Sequence, residues 1–144
     1  MPRLDAERIA LLRQLCVATN AIERQIDADL VDEFDIPLSW FEVLLRVARS
    51  PDERLMMSEL SAQLALTTGG VTRLVDRIVE AGYLERVPAE HDRRVIWAVV
   101  TPKGHDVVEH AAEVHAAELH DIFANFTNKD RATLDRFLDR LRDT

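Results

Sequence analysis

Apolar positions along this chain recur mostly at helical period. From about Asp5 to Asp29, Ile9, Leu12, Cys16, Ile22, Ile26 and Leu30 lie close to that period, and Leu11, Leu15 and Ala18 widen the stripe. A terminal helix with so wide an apolar band needs a partner beyond its own small domain. Pro37 breaks the pattern, and Ser39 is placed to cap a helix through about Ala48, closed by Ser50-Pro51-Asp52. Ser58 suits the cap of a short helix ending near Leu66. Thr67 suits the cap of the next, which runs to Ala81 and stops at Gly82. The period then changes. Tyr83–Val87 and Val95–Thr101 are rich in β-branched and aromatic residues and predict a hairpin. Pro102 suits a helix start, with Val108, Ala111, Ala112, His115, Leu119, Ile122 and Phe126 on one side as far as Phe126. Asn128 is expected to cap a last helix carrying Leu134, Phe137, Leu138 and Leu141.

The predicted fold class is mainly α with a small β-hairpin. Three helices and a hairpin form a winged helix-turn-helix lobe at 36–101, and long helices at 1–35 and 102–144 frame it for dimerisation. The chain has 144 residues, enough for a single domain with a real core. No apolar run is long enough to cross a membrane, and MPRLDAERIALL lacks a signal-peptide layout, so a cytoplasmic protein is expected. A lone cysteine, Cys16, fits a reducing compartment. No Ser/His/Asp constellation, phosphate loop or cofactor fingerprint is present, which argues against an enzyme and calls for no cofactor.

A net charge of −8 is awkward for nucleic-acid binding, so its distribution decides. Between Thr67 and Lys103, six basic residues face five acids, a balance of +1 that leaves −9 on the remainder. Asp27, Asp29, Asp32, Glu33 and Asp35 concentrate the acid elsewhere. On a helix turning about 100° per residue, Val71, Leu74, Val75 and Ile78 gather on one side. Thr68, Gly69, Thr72, Arg73, Asp76 and Glu80 gather opposite, which is the arrangement a helix-turn-helix offers to the major groove. Thr72 and Arg73 are the best candidates for base or phosphate contact. Gly69 and Gly70 let backbone amides at the helix start approach a phosphate. Asp76 repels phosphate and is expected to hold Arg73 three residues back. Arg77 lies at the edge of the polar arc, within reach of phosphate or Glu80. A polar helix face alone is often only a solvated surface. At the hairpin tip, however, Ala89-Glu90-His91-Asp92-Arg93-Arg94 adds adjacent arginines that can reach the neighbouring minor groove. Arg94 is the candidate for insertion, Arg93 for phosphate and Asp92 for orienting Arg94.

These pieces, LTTGGVTRLVDRIVEAGYLERV, then DRR followed by VIWAVVTPKG, resemble the MarR (multiple antibiotic resistance regulator) family of bacterial transcription factors. The Asp-x-Arg wing tip, the T-x-x-G ending and the flanking long helices all match. The resemblance implies a homodimer with a winged helix-turn-helix on each subunit. It implies binding to a pseudo-palindromic double-stranded operator, and repression relieved by a ligand or oxidant. Carried over by position, Thr68, Thr72 and Arg73 fall on the recognition helix, and Asp92 and Arg94 on the wing signature, where the arginine enters the minor groove and the aspartate supports it. Thr67, Gly69, Arg77 and Arg93 complete the set of candidate DNA contacts.

The resemblance also raises sensor sites. Relatives bind small aromatic or phenolic effectors between the dimerisation helices and the lobe, where Trp40, Phe41, Leu44, Met56 and Met57 are candidates. Plain core packing is the favoured reading of those residues. Cys16 invites comparison with a peroxide-sensing branch, yet Tyr83 is the only tyrosine, and a buried small hydrophobe is the favoured reading. His105, His110, His115 and His120 recur every five residues, a rotation of about 140° that spirals them around a helix rather than pairing them. No metal site is expected. The competing readings are an oxidant sensor through Cys16 and a winged-helix protein–protein module.

Overall fold

A computed structural model describes residues 6–64 and 66–144. Among the described residues six α-helices and three strands follow one another. They are α1 (Ala6–Phe34), α2 (Leu38–Ala48), β1 (Arg54–Met56), α3 (Met57–Leu64), α4 (Thr68–Glu80), β2 (Leu84–Pro88), β3 (Ile96–Val100), α5 (Pro102–Ile122) and α6 (Asn128–Arg142). The chain divides into two compact units, the described residues through Ala112 and Glu113–Thr144.

In the first unit the core is made by short helices laid on a small sheet. Phe41, Val43, Leu44 and Val47 of α2, Leu60 of α3, and Val71, Val75 and Ile78 of α4 are buried with Leu55, Leu84 and Ala98 of the strands. The i, i+4, i+7 spacing on α4 gives that helix one dry side. Each large aliphatic group so buried contributes about 1.5–3 kcal/mol. Of α1, only Ile26 and Leu30 are buried. Ile9, Leu11, Leu12, Leu15, Val17 and Ile22 are exposed, Leu12 by 63%.

Several boundaries differ from the sequence expectation. Helix α1 continues to Phe34 and stops where Asp35 takes φ +55°, a left-handed conformation that aspartate tolerates. Ser39 does not cap α2. The cap position is Pro37, and Asp27 Oδ1 on α1 accepts the Leu38 amide at 2.8 Å. Ser58 lies inside α3, whose start is met instead by Glu59 accepting the Met56 amide at 3.0 Å. The hairpin is also not alone. β1 pairs antiparallel with β3, giving a three-stranded sheet in the order β1-β3-β2. At three residues β1 is too short for a period-2 pattern to declare itself, and only its pairing with β3 makes it a strand. In the second unit, Thr127 caps α6 in place of Asn128. Its hydroxyl accepts the Asp130 amide while Asp130 accepts the Thr127 amide, a closed capping box. These bonds hold the Asp130 carboxyl below the usual range, the backbone bond from Thr127 most of all.

The end of the wing is fastened at one point. Gly82 terminates α4 at φ +86°, where a side chain would be strained. Thr101 donates its hydroxyl to the Gly82 carbonyl at 2.6 Å and accepts the Gly104 amide at 3.0 Å. The Thr101 amide donates to Tyr83 O at 3.1 Å. A Cβ on Gly104 would meet that same oxygen at 2.1 Å, so α5 can start here only with glycine at its third residue. Lys103 adds a bond from Nζ to Ala81 O at 2.9 Å and lies over the Tyr83 ring. This accounts physically for the T-x-x-G ending. Gly104→Ala should therefore destabilise the fold by about 1–3 kcal/mol, since no rotamer change relieves a backbone clash. A lower urea midpoint at unchanged slope would register it, and a wild-type midpoint would contradict the packing described.

Candidate nucleic-acid interface

Helix α4 has its buried side fixed by Val71, Val75 and Ile78, so Thr68, Gly69, Thr72, Arg73, Asp76 and Arg77 are exposed. Thr67 is the N-cap, and its hydroxyl accepts the Gly70 amide at 3.1 Å. Its side chain is thus engaged in starting the helix. Thr72 donates its hydroxyl to Thr68 O at 2.9 Å, which leaves its oxygen lone pairs and methyl group facing outward. A methyl placed on Gly69 would lie 3.7 Å from Arg73 Nη1, so the Arg73 guanidinium folds back over the bare glycine toward the helix start. That brings a cation to the end of the helix whose free amides also attract anions. Arg77 sits in the last turn, where its charge suits the helix dipole.

The wing tip is a tight closed turn. The Ala89 amide donates to Val95 O at 2.9 Å and the Val95 amide to Asp92 O at 3.0 Å. Asp92 Oδ1 accepts both the Arg94 amide at 3.0 Å and Arg94 Nε at 3.1 Å, while Oδ2 accepts Nη2 at 3.3 Å. The arginine stem is aimed by its neighbour, yet its side chain is 92% exposed. Arg93 is exposed beside it. The Arg94 side-chain hydrogen bond, followed by the bond from its backbone, holds the Asp92 carboxyl below the ordinary carboxylate range.

Asp76 does not hold Arg73. Its carboxylate is 2.7 Å from Arg86 Nη1, on β2, and Arg86 Nη2 also donates to Thr72 O at 3.2 Å. Helical spacing favours an i, i+3 partner, but strand β2 brings the Arg86 guanidinium over the same face. Arg86 was the residue that sequence reasoning missed. Its signal, an isolated arginine inside a short strand, gives no hint of which element it faces. A hollow of about 330 Å³ between α4 and the wing is lined by Met56, Met57, Ser58, Thr72, Arg86, Arg94, Val95 and Ile96.

A polar helix face and an arginine-tipped wing on one lobe invite comparison with known proteins. The MarR family model matches residues 34–95. Over this lobe the chain is similar to the MarR family. It is 25% identical over 141 residues to the transcriptional regulator PecS of Dickeya dadantii, covering 97% of this chain and 84% of that one. It is 27% identical over 136 residues to the multiple antibiotic resistance protein MarR of Escherichia coli, covering 94% and 92%. Among solved structures it is similar to Sco3205, a MarR-family transcriptional regulator from Streptomyces coelicolor in complex with DNA. There the TM-score is 0.91, identity 25%, and coverage 99% of this chain and 91% of that chain. A mutant E. coli MarR complexed with operator DNA gives a TM-score of 0.85 at 26% identity, covering 96% and 97%.

The sensor candidates are scattered. Phe41 and Leu44 are buried in the core, and Trp40 packs edge-to-face on Tyr83 with ring centroids 6.3 Å apart. Met57 stands apart from them. It borders the hollow beside the wing and a second one, of about 500 Å³, between α3 and α4. Cys16 is exposed on α1 rather than buried as a small hydrophobe, because the apolar stripe around it is uncovered within its own chain. His105 lies 3.1 Å from Glu53 and 3.5 Å from Glu109, while His110 Nδ1 is 2.7 Å from Asp106 O. Among the described residues no group of three or more His, Cys, Asp or Glu is arranged to hold a metal ion. No helix there is long and apolar enough to cross a membrane.

Because the Asp92 carboxyl is held low, the bracing of Arg94 is fully present above the ordinary carboxylate pKa. It is lost only as pH falls through the lowered value. The wing tip is therefore braced throughout the neutral range. In a carboxyl-carbon NMR titration Asp92 should have a midpoint below that of ordinary aspartates, and Arg94→Ala should move it up. An Asp92 midpoint indifferent to Arg94 would count against the brace.

Proposed function

We propose that this chain is a sequence-specific DNA-binding transcriptional regulator. It works as a repressor that binds a pseudo-palindromic operator as a homodimer and is released by a small-molecule effector. One observation carries the reading: an exposed arginine, aimed by Asp92, projects from the same lobe as the outward face of α4. Thr68, Thr72 and Arg73 then meet the major groove, Arg94 enters the adjacent minor groove, and Arg77 and Arg93 lie against phosphate. The relatives described as bound to DNA support this assignment.

Dimerisation through the terminal helices is supported by apolar groups that each helix leaves uncovered. Ile9, Leu12 and Leu15 are exposed on α1, and Phe137, Leu138 and Leu141 on α6. A folded monomer rarely leaves so much large apolar surface in water. The twofold also matters energetically, since a lobe with little net positive charge gains affinity by binding twice. The lobe at 36–101 is the DNA-reading part, and the helices at 1–35 and 102–144 form the frame. A small aromatic or phenolic molecule is the proposed effector class. Trp40, Met56 and Met57 are the candidate residues that remain outside the fully buried core.

Gel shift against the protein's own upstream DNA and its neighbouring promoters tests the reading, with retardation expected at low salt and weakened by added salt. On the operator so found, Arg94→Ala should cost about 1–3 kcal/mol of binding and relax the preference for an A·T flank. Absence of any shift would remove the repressor assignment, and wild-type affinity in the mutant would remove the wing contact.

A further inference from the structure

We propose that Asp76 and Arg86 are positioning residues that fix the distance between α4 and the wing, so that each lobe reads its major-groove bases and the flanking minor groove as one unit. The proposal rests on the DNA-binding reading above. One guanidinium spans a full turn of the outward face of α4. Nη1 is 2.7 Å from Asp76 Oδ1, and Nη2 donates to the Thr72 carbonyl at 3.2 Å. Two bonds from a planar fork fix orientation as well as distance. The turn they grip is the one that carries Thr72 and Arg73. Arg86 itself belongs to β2, in register with Ala98 of β3, and β3 is the strand entered directly from the tip that holds Asp92 and Arg94.

On β2 itself little apolar burial shares this task. β2 is buried only at Leu84, and Glu85, Val87 and Pro88 are exposed. Toward the tip, a hollow lies between the helix and the wing, lined by Thr72, Arg86 and Arg94 with Met56, Met57, Ser58, Val95 and Ile96. Beside that hollow, Arg86 is a direct polar link from β2 to the outward face of α4. The pair is also poorly placed to stabilise the fold, since the side chains are 29% and 57% exposed, and exposed ion pairs contribute little. It adds no net charge toward phosphate, because each partner cancels the other. A bridge that neither stabilises much nor attracts DNA, yet ties two DNA-reading elements together, acts through geometry.

The test has one arm without DNA and one with it. In the free protein, Arg86→Gln and Arg86→Lys should lower the amide order parameters at Glu90–Val95 relative to those of α4, at an unchanged melting temperature. Lysine keeps the charge but cannot make both bonds. With DNA, the wild type should lose about tenfold in affinity when the A·T flank under the wing is changed to G·C. Arg86→Gln, Arg86→Lys and Asp76→Asn should each shrink that discrimination severalfold, while preference at the central bases read by α4 persists. Unchanged wing order in both Arg86 variants overturns the proposal whatever DNA does. So does full flank discrimination by Arg86→Lys beside its loss in Arg86→Gln, which would make Arg86 a charge on phosphate. Failure of the wild type to bind any operator would instead strike the DNA-binding reading, and the order parameters would still report on the bridge.

Discussion

Burial of one side of α4 is the constraint on which the interface depends. Val71, Val75 and Ile78 have no exposure to speak of, and a helix so anchored cannot roll. Its rotation sets which residues look outward. A turn of one position would point Arg73 along the surface and bring a valine into solvent. Phe41, Leu44, Leu60 and Leu84 are buried in the same unit, so the cost of any such rotation is spread over much of the core. On the proposed DNA-binding reading, the outward face of α4 inherits its precision from apolar packing on the opposite side.

The second constraint is local and polar. The wing must leave α4, make its excursion and return to start α5, and the return is fastened where Thr101 joins Gly82, Tyr83 and Gly104. A chain held at both ends can support a tip whose two arginines are exposed. Asp92 then supplies direction by accepting three bonds from a single residue. Charge is therefore used in place rather than in quantity. That is how a chain with a net charge of −8 can offer phosphate a workable face.

Much of this was legible in the sequence because it follows from short-range rules. The caps at Thr67 and Gly82, the proline at the start of α5, and the Asp92–Arg94 pairing across two residues all act within a few positions. The misses have a common cause. Strand β1 exists only because β3 lies beside it, α2 is capped by Asp27 from another helix, and Asp76 finds Arg86 rather than Arg73. Each depends on an element distant in sequence. Periodicity could show that Cys16 lies on an apolar stripe, but not that the stripe goes uncovered within its own chain.

By itself, then, the sequence determined the order of the helices, the two-sided character of α4, the arginine tip and its aspartate. These are matters of propensity, period and nearest-neighbour hydrogen bonding, which the chain carries wherever it goes. Only the tertiary structure decided how the two reading elements are held relative to one another. That relation is made by Arg86 reaching from a strand to a helix face, and by a glycine pressed against the Tyr83 carbonyl. Contacts of this kind are chosen by distance in space. No local pattern of residues announces them, because the partner that satisfies each group is settled only when the chain has packed.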